Sequence, residues 1–102
     1  MGANTFQTLS SGKSAKVAFE AACYQARYED GHGGYTGTIA EKGEFTMIDT
    51  VASVDEAYKL ADKLTDEGDS RVDDKWGPAG CIKITAKAGG TPQFLFFGWA
   101  SS

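Results

Sequence analysis

The sequence predicts an α+β domain, with a mixed, mainly antiparallel sheet and two helices in the order β-α-β-β-α-β-β. Three observations lead to this class. Two segments repeat apolar residues at helical spacing, five others have the composition of strands, and 102 residues with 41% hydrophobic content suit one core. We therefore expect a single domain over residues 1–102, similar in topology to a split βαβ arrangement.

The N-terminal third predicts a strand followed by a helix. Residues Thr5 to Leu9 alternate weakly and form the first predicted strand. Ser14 is suited to cap a helix that ends near Asp30, with Gly31 in the position that usually follows a helix C-terminus. The apolar residues of this helix are mostly small: Ala15, Ala18, Phe19, Ala22, Cys23 and Ala26.

The middle of the chain predicts a hairpin and a second helix. Residues 35–41 and 44–50 resemble two strands that turn around Lys42 and Gly43. Ser53 and Glu56 then form a capping box, in which each side chain hydrogen-bonds a backbone amide near the other residue. Gly68 is the predicted end of this helix.

The C-terminal third predicts a long loop and two further strands. The loop covers residues 66–79, and residues 81–87 alternate as in a half-buried strand. Residues 94–99 are apolar on both faces, so a sheet with helices on one side only would leave aromatic rings in water. A homo-oligomer interface is one way to cover them. The other is a central position of this strand in the sheet, with long loops or the N-terminal segment folded over the second face.

Composition excludes several classes of function. Ten Lys and Arg against 14 Asp and Glu give a net charge of −4, which disfavours binding to a nucleic-acid polymer. No apolar run is long enough for a membrane span and no signal peptide is evident, so we expect a cytoplasmic protein. Cys23, Cys81 and the acidic residues of the 66–79 loop lack metal-ligand spacing, so neither a metal nor a cofactor is expected.

A glycine-rich loop is the main functional candidate. It lies between the first helix and the next predicted strand, and it contains the only histidine: Gly31, His32, Gly33, Gly34, Tyr35, Thr36 and Gly37. Glycines let the backbone turn sharply and let a ligand approach closely, and successive amides can form a concave anion site. The alternative interpretation is a purely structural connection, with a helix cap, a turn and a bulge.

Two further places are weaker candidates. Lys42 and Trp76 are outer members of the same predicted site, because an ammonium attracts anions and an indole stacks on planar rings. Gly12, Lys13 and Ser14 resemble the end of a phosphate-binding loop, but position 7 holds Gln7 where that motif requires glycine. A weak anion site at the start of the first helix and an ordinary solvated helix cap both remain open.

Three stretches resemble a group of small uncharacterised phage and bacterial proteins. They are residues 28–42, which contain the glycine loop, residues 75–80 (KWGPAG) and residues 94–99 (FLFFGW). The resemblance would cover most of the chain, and it implies a setting rather than an activity. Small phage proteins often act against host machinery or immune signals, which favours a binding or sequestering role in the host cytoplasm.

These observations predict a protein that self-associates and binds a small anionic ligand, such as a nucleotide-derived signal, without catalysis. One alternative is an enzyme in which His32 acts as general acid or base on a phosphate-containing small molecule. Against it, the sequence shows no evident nucleophile motif beside the single histidine. Another alternative is a protein-interaction module that acts through the aromatic C-terminal strand.

Overall fold

A computed structural model describes residues 3–30, 39, 42–73, 77–85 and 90–101. It shows the predicted α+β class: two helices and a four-stranded mixed sheet. In chain order the elements are β1 (Ala3–Ser11), α1 (Ala15–Asp30), β2 (Phe45–Val51), α2 (Val54–Glu67), β3 (Ala79–Ile84) and β4 (Gln93–Ser101).

The segment between α1 and β2 is only partly described. The strand predicted for residues 35–41 lies outside the described residues apart from Ile39. Ile39 belongs to a turn in which the backbone N–H of Lys42 donates to the Ile39 carbonyl oxygen over 2.9 Å. The described part of the chain therefore contains one strand between the helices, where the sequence predicts two.

The four strands lie in the order β1-β4-β3-β2. β4 is antiparallel to both of its neighbours, whereas β2 and β3 are parallel and are joined through α2. The β2 register is interrupted at Ile48, because Met47 pairs with Cys81 and Asp49 with the next residue, Ile82. Among the described strands, β2 therefore pairs with β3. The predicted hairpin, between residues 35–41 and 44–50, does not include this pair.

The two helices pack against opposite faces of the sheet. Successive side chains of a strand point to opposite faces, and β4 supplies both cores. One core contains α1 and the even-numbered aromatic residues of β4: Phe6, Ala18, Phe19, Ala22, Cys23, Ile39, Ala79, Cys81, Phe94, Phe96 and Ala100. The other contains α2: Ala57, Ala61, Leu64, Val72, Ile82, Ile84, Leu95 and Phe97.

This arrangement explains the two apolar faces of the last strand. Residues 94–97 are at most 2% exposed, because β4 is central and α2 covers the face that is opposite α1. The expected cover, a second subunit or a folded-over loop, is therefore not required for residues 94–97.

The burial of β3 differs from the prediction. The sequence predicts a half-buried strand at residues 81–87, whereas Cys81 and Ile82, on opposite faces of β3, are both fully buried.

Helix-capping residues act as predicted. The Val17 N–H donates to Ser14 Oγ at 3.3 Å, and the Glu56 N–H donates to Ser53 Oγ at 3.2 Å. The Glu56 carboxylate accepts from the Ala52 N–H rather than from that of Ser53 itself. Gly68 ends α2 with a left-handed φ of 68°, a conformation that glycine adopts without strain.

Candidate functional site

The predicted site residues divide into two groups. Gly31, His32, Gly33, Gly34, Tyr35, Thr36, Gly37 and Trp76 lie outside the described residues. Lys42, Gly12, Lys13 and Ser14 lie within them. The described residues therefore include the weak anion site at residues 12–14 and, of the main predicted site, Lys42 alone.

Lys42 is almost completely buried. It is 3% exposed, and its Nζ donates to the Gly77 carbonyl oxygen over 2.9 Å. The same Nζ lies 6.0 Å from the centre of the Phe6 ring, at the outer limit for a cation–π contact. Burying an ammonium is unfavourable without hydrogen bonds, so these contacts hold the lysine in one geometry.

The contact between Lys42 and Gly77 connects the two segments that the sequence singles out. Lys42 follows the glycine loop by five residues, and Gly77 directly follows Trp76. A hydrogen bond across 35 residues of chain brings the ends of these segments together. The described contact therefore joins a residue that follows the glycine loop to the residue after Trp76.

Helix α1 holds the glycine-loop segment from another side. Cys23 Sγ lies 3.5 Å from the Ile39 carbonyl oxygen and 3.9 Å from that of Lys42, both within the range of a weak thiol hydrogen bond. Burial raises the pKa of the Cys23 thiol, while the nearby Arg27 charge lowers it by a smaller amount. The thiol thus stays protonated and can donate, which makes Cys23 an anchor rather than a nucleophile.

A polar groove opens beside this anchor. It has a volume of about 570 Å³ and lies between β1 and α1. Its lining is uncharged among the residues that the structure describes: Thr8, Leu9, Ser10, Ser11, Ala21, Ala22, Gln25, Ala26, Ile39 and Gln93. Ile39, which lines the groove, follows Gly37 of the glycine loop by two residues in the sequence.

Sequence interpretation missed the groove residues. Thr8 and Ser10 share the α1 face of β1 with buried Phe6, since residues two apart in a strand point the same way. Polar side chains at these positions are a signal, because the core-facing side of a strand is normally apolar. Recognising this signal requires knowing which face of β1 packs against α1. The sequence of residues 5–9 alone does not show that face.

The weak anion site at the start of α1 has structural explanations. The Gly12 N–H donates to the Pro92 carbonyl oxygen at 3.3 Å, and Ser14 Oγ accepts from Val17. A Cβ on Gly12 would lie 2.9 Å from the Ala18 backbone nitrogen, so glycine is needed for close packing. Both groups take part in hydrogen bonds within the fold, and Lys13 is an exposed neighbour of the helix cap.

The described part of the acidic loop makes an internal contact. Arg71 donates to both carboxylate oxygens of Asp69 at 2.9 Å, and its backbone N–H also donates to Asp69 Oδ1. These hydrogen bonds lower the pKa of Asp69 to about 2. Within the described ranges no group of three His, Cys, Asp or Glu side chains is arranged to hold a metal ion.

Comparison with known proteins adds no assignment. Neither described helix is long and apolar enough to cross a membrane. No protein-family model, curated protein or solved structure matches the chain at a significant level.

Proposed function

We propose that the protein binds a small anionic ligand, derived from a nucleotide, in the groove between β1 and α1, with the glycine loop of residues 31–37 contributing to binding. The observation that supports this proposal best is the position of the groove, which is lined by Ile39 close to the end of that loop. Pockets with a few polar groups on rigid elements are common ligand sites.

The proposed division of labour follows from the chemistry of each part. Polar groups of the groove, at Thr8 and Gln93, suit the sugar hydroxyls and base edges of a nucleotide. Ser10 Oγ donates to the Ala18 carbonyl oxygen at 2.9 Å and can still accept a hydrogen bond from a ligand. Backbone amides of the glycine loop suit its phosphate. His32, Tyr35 and Thr36 supply a ring and hydroxyls, Trp76 supplies a stacking surface, and Lys42 positions the two segments.

The biological role that we propose is sequestration. The resemblance of residues 28–42 to small phage and bacterial proteins favours capture of a host signal in the cytoplasm, as a means of countering host defence. Binding without turnover needs neither a nucleophile nor a cofactor. Self-association remains part of the proposal, but the burial of residues 94–97 requires that it use a surface other than β4.

The burial of the last strand bears on the interaction-module alternative. Phe94, Phe96 and Phe97 are packed under the two helices, whereas Trp99 of the same strand is only partly buried. The enzymatic alternative, with His32 as acid or base, differs from sequestration only in what happens to the ligand. One experiment therefore separates binding from catalysis.

The test is titration calorimetry against a panel of nucleoside mono-, di- and triphosphates, cyclic mono- and dinucleotides, ADP-ribose and inorganic phosphate. We expect one nucleotide class to bind and to be recovered intact after the protein is denatured. Thr8→Val removes one groove hydroxyl while keeping the side-chain shape, and it should raise Kd about fivefold to tenfold, since one hydrogen bond is lost. Thr5→Val, on the opposite face of β1, is the matched control and should leave Kd unchanged.

Three results would contradict this proposal. The first is that no member of the panel binds, and the second is that Thr8→Val and Thr5→Val behave alike. The third is recovery of a converted ligand whose formation is abolished in His32→Ala, which would establish the enzyme instead.

A further inference from the structure

We propose that two copies of this chain associate through the outward face of α1, as an antiparallel helix pair related by a two-fold axis. The contact surface, here called the outer stripe, is formed by Val17, Ala21, Tyr24 and Tyr28. This inference names a surface for the self-association proposed above. It does not require a bound ligand, although Ala21 also lies at the edge of the groove between β1 and α1.

The outer stripe lies opposite the buried face of α1. At about 100° per residue, the four residues fall within about 60° of one another, and their mean direction is about 160° from that of the buried residues. Their spacing of 4, 3 and 4 residues is the spacing of a helix–helix contact seam. Helix α1 therefore has two apolar faces, of which only one packs against the sheet.

The exposure of the outer stripe is unusual for this protein. Val17 is 49% exposed, Tyr24 70% and Tyr28 78%. In the part of the chain that the structure describes, these are three of the five large hydrophobic residues with exposed side chains, and the other two are apart, on β1 and β2. Single exposed apolar residues are ordinary, whereas a continuous row on one helix face indicates a contact surface.

Side-chain size favours a second copy in antiparallel orientation. In that orientation Val17 faces the second copy's Tyr28, and Ala21 faces the second copy's Tyr24. Each of the four layers then pairs one tyrosine with one smaller residue, which lets the two helices approach closely. A parallel pair would instead place tyrosine against tyrosine and alanine against alanine. Each tyrosine hydroxyl can stay at the rim in water.

Charge complementarity favours the same orientation. Glu20 and Arg27 lie on one flank of the outer stripe, seven residues apart, which is too far for them to contact each other within the helix. In the antiparallel pair Glu20 lies near the second copy's Arg27, and symmetry repeats the contact. Lys16 lies on the same flank, one turn before Glu20. Its positive charge is favourable for the Glu20 carboxylate in both the monomer and the dimer.

The expected association is weak. A helix of 16 residues is about 24 Å long, so one such pair is at the small end of specific interfaces, where complexes are transient. We therefore expect dimerisation with Kd in the micromolar to submillimolar range.

Sedimentation equilibrium of the full chain, without ligand, tests the surface. From about 1 µM to about 1 mM we expect the mass to rise from 10.8 kDa towards twice that value. Tyr24→Ser removes the central ring and should raise the dimer Kd at least about tenfold. Met47→Ser, which changes an exposed apolar residue on β2, is the matched control and should leave Kd unchanged. Circular dichroism confirms that both variants are folded.

Charge exchange tests the orientation. Glu20→Arg and Arg27→Glu, made singly, should each raise the dimer Kd about fivefold, because each creates two like-charge contacts across the two-fold axis. The double exchange should restore the original Kd, and added salt should reduce all of these differences. Rescue of this kind does not arise from an effect within one helix.

Three outcomes would overturn the inference. They are a mass of one chain at every concentration, a dimer that Tyr24→Ser leaves unchanged, and a dimer weakened by both single charge reversals without rescue by their combination. A monomeric wild-type chain whose outer stripe binds a different protein would also overturn it, because the proposed occupant is a second copy.

Discussion

Cys81 illustrates at the scale of one residue how position determines chemistry. It lies fully buried in β3, in the core between the sheet and α1, and desolvation raises the pKa of its thiol from 9.0 to about 12. Together with the shifted pKa of Cys23, this makes both thiols poor nucleophiles near neutral pH. Both thiols are free and buried.

The raised pKa of Cys81 predicts a loss of stability at high pH. The folded state keeps the thiol protonated, so its contribution is fully present below pH 9.0, where the unfolded thiol is also protonated, and it declines as pH rises towards about 12. The difference in unfolding free energy between the wild type and Cys81→Ala should therefore shrink steadily above pH 9.0. Urea denaturation over this range measures it, and a constant difference would contradict the prediction.

Lys42 shows what a residue type by itself leaves undecided. In the sequence it stands beside a predicted ligand loop and is a candidate for binding an anion. The structure places its ammonium inside the fold, on the Gly77 carbonyl oxygen. The Lys42 ammonium thus connects two parts of the chain that are 35 residues apart, and the type of residue alone does not predict such a contact.

At the scale of elements, the signals that determine a helix are local and were readable in the sequence. Ser53 and Glu56 begin α2, and Gly68 ends it, as the sequence predicted. The pairing of strands is different, because the hydrogen bonds of β2 are made with residues more than 30 positions later. A strand pattern predicts an extended segment but does not name its neighbour.

The capping box gives a prediction for α2. Ser53→Ala leaves the Glu56 N–H without its side-chain acceptor and should lower the free energy of unfolding by about 1 kcal/mol. Urea denaturation of the variant measures the change. Ser70→Ala, at an exposed position beyond the end of α2, serves as the comparison and should stay within about 0.5 kcal/mol of the wild type. Equal effects of the two substitutions would show that the cap does not stabilise the helix.

At the scale of the whole molecule, two helices share one sheet, and the strands must fit both cores. Gly80 on β3 illustrates this fit. A Cβ at this position would lie 2.6 Å from Phe97 Cε1 and 2.7 Å from Val72 Cγ1, so the Phe97 ring occupies the space that a side chain would need. The absence of a side chain at Gly80 lets β4 place the Phe97 ring in the α2 core.

This packing predicts that alanine at position 80 lowers the free energy of unfolding more than alanine at position 43 does. Gly80→Ala should lower the free energy of unfolding by about 1 to 3 kcal/mol, because neither Phe97 nor Val72 can move without disturbing the core. Gly43→Ala is the matched control, since nothing lies within 4 Å of a Cβ at that position, and it should be nearly neutral. Thermal or urea unfolding of both variants decides the point, and a stable Gly80→Ala protein would contradict the described packing.

The sequence by itself determined what depends on neighbours along the chain: the fold class, both helices with their caps, and the apolar character of the last strand. Only the tertiary structure decided what depends on residues far apart. It pairs β2 in parallel with β3, covers both faces of β4 with helices, buries Lys42 against Gly77 and turns the outer stripe of α1 away from the sheet. The physical reason is that periodicity and capping are local, whereas strand partners and helix placement follow from hydrophobic burial summed over the whole chain.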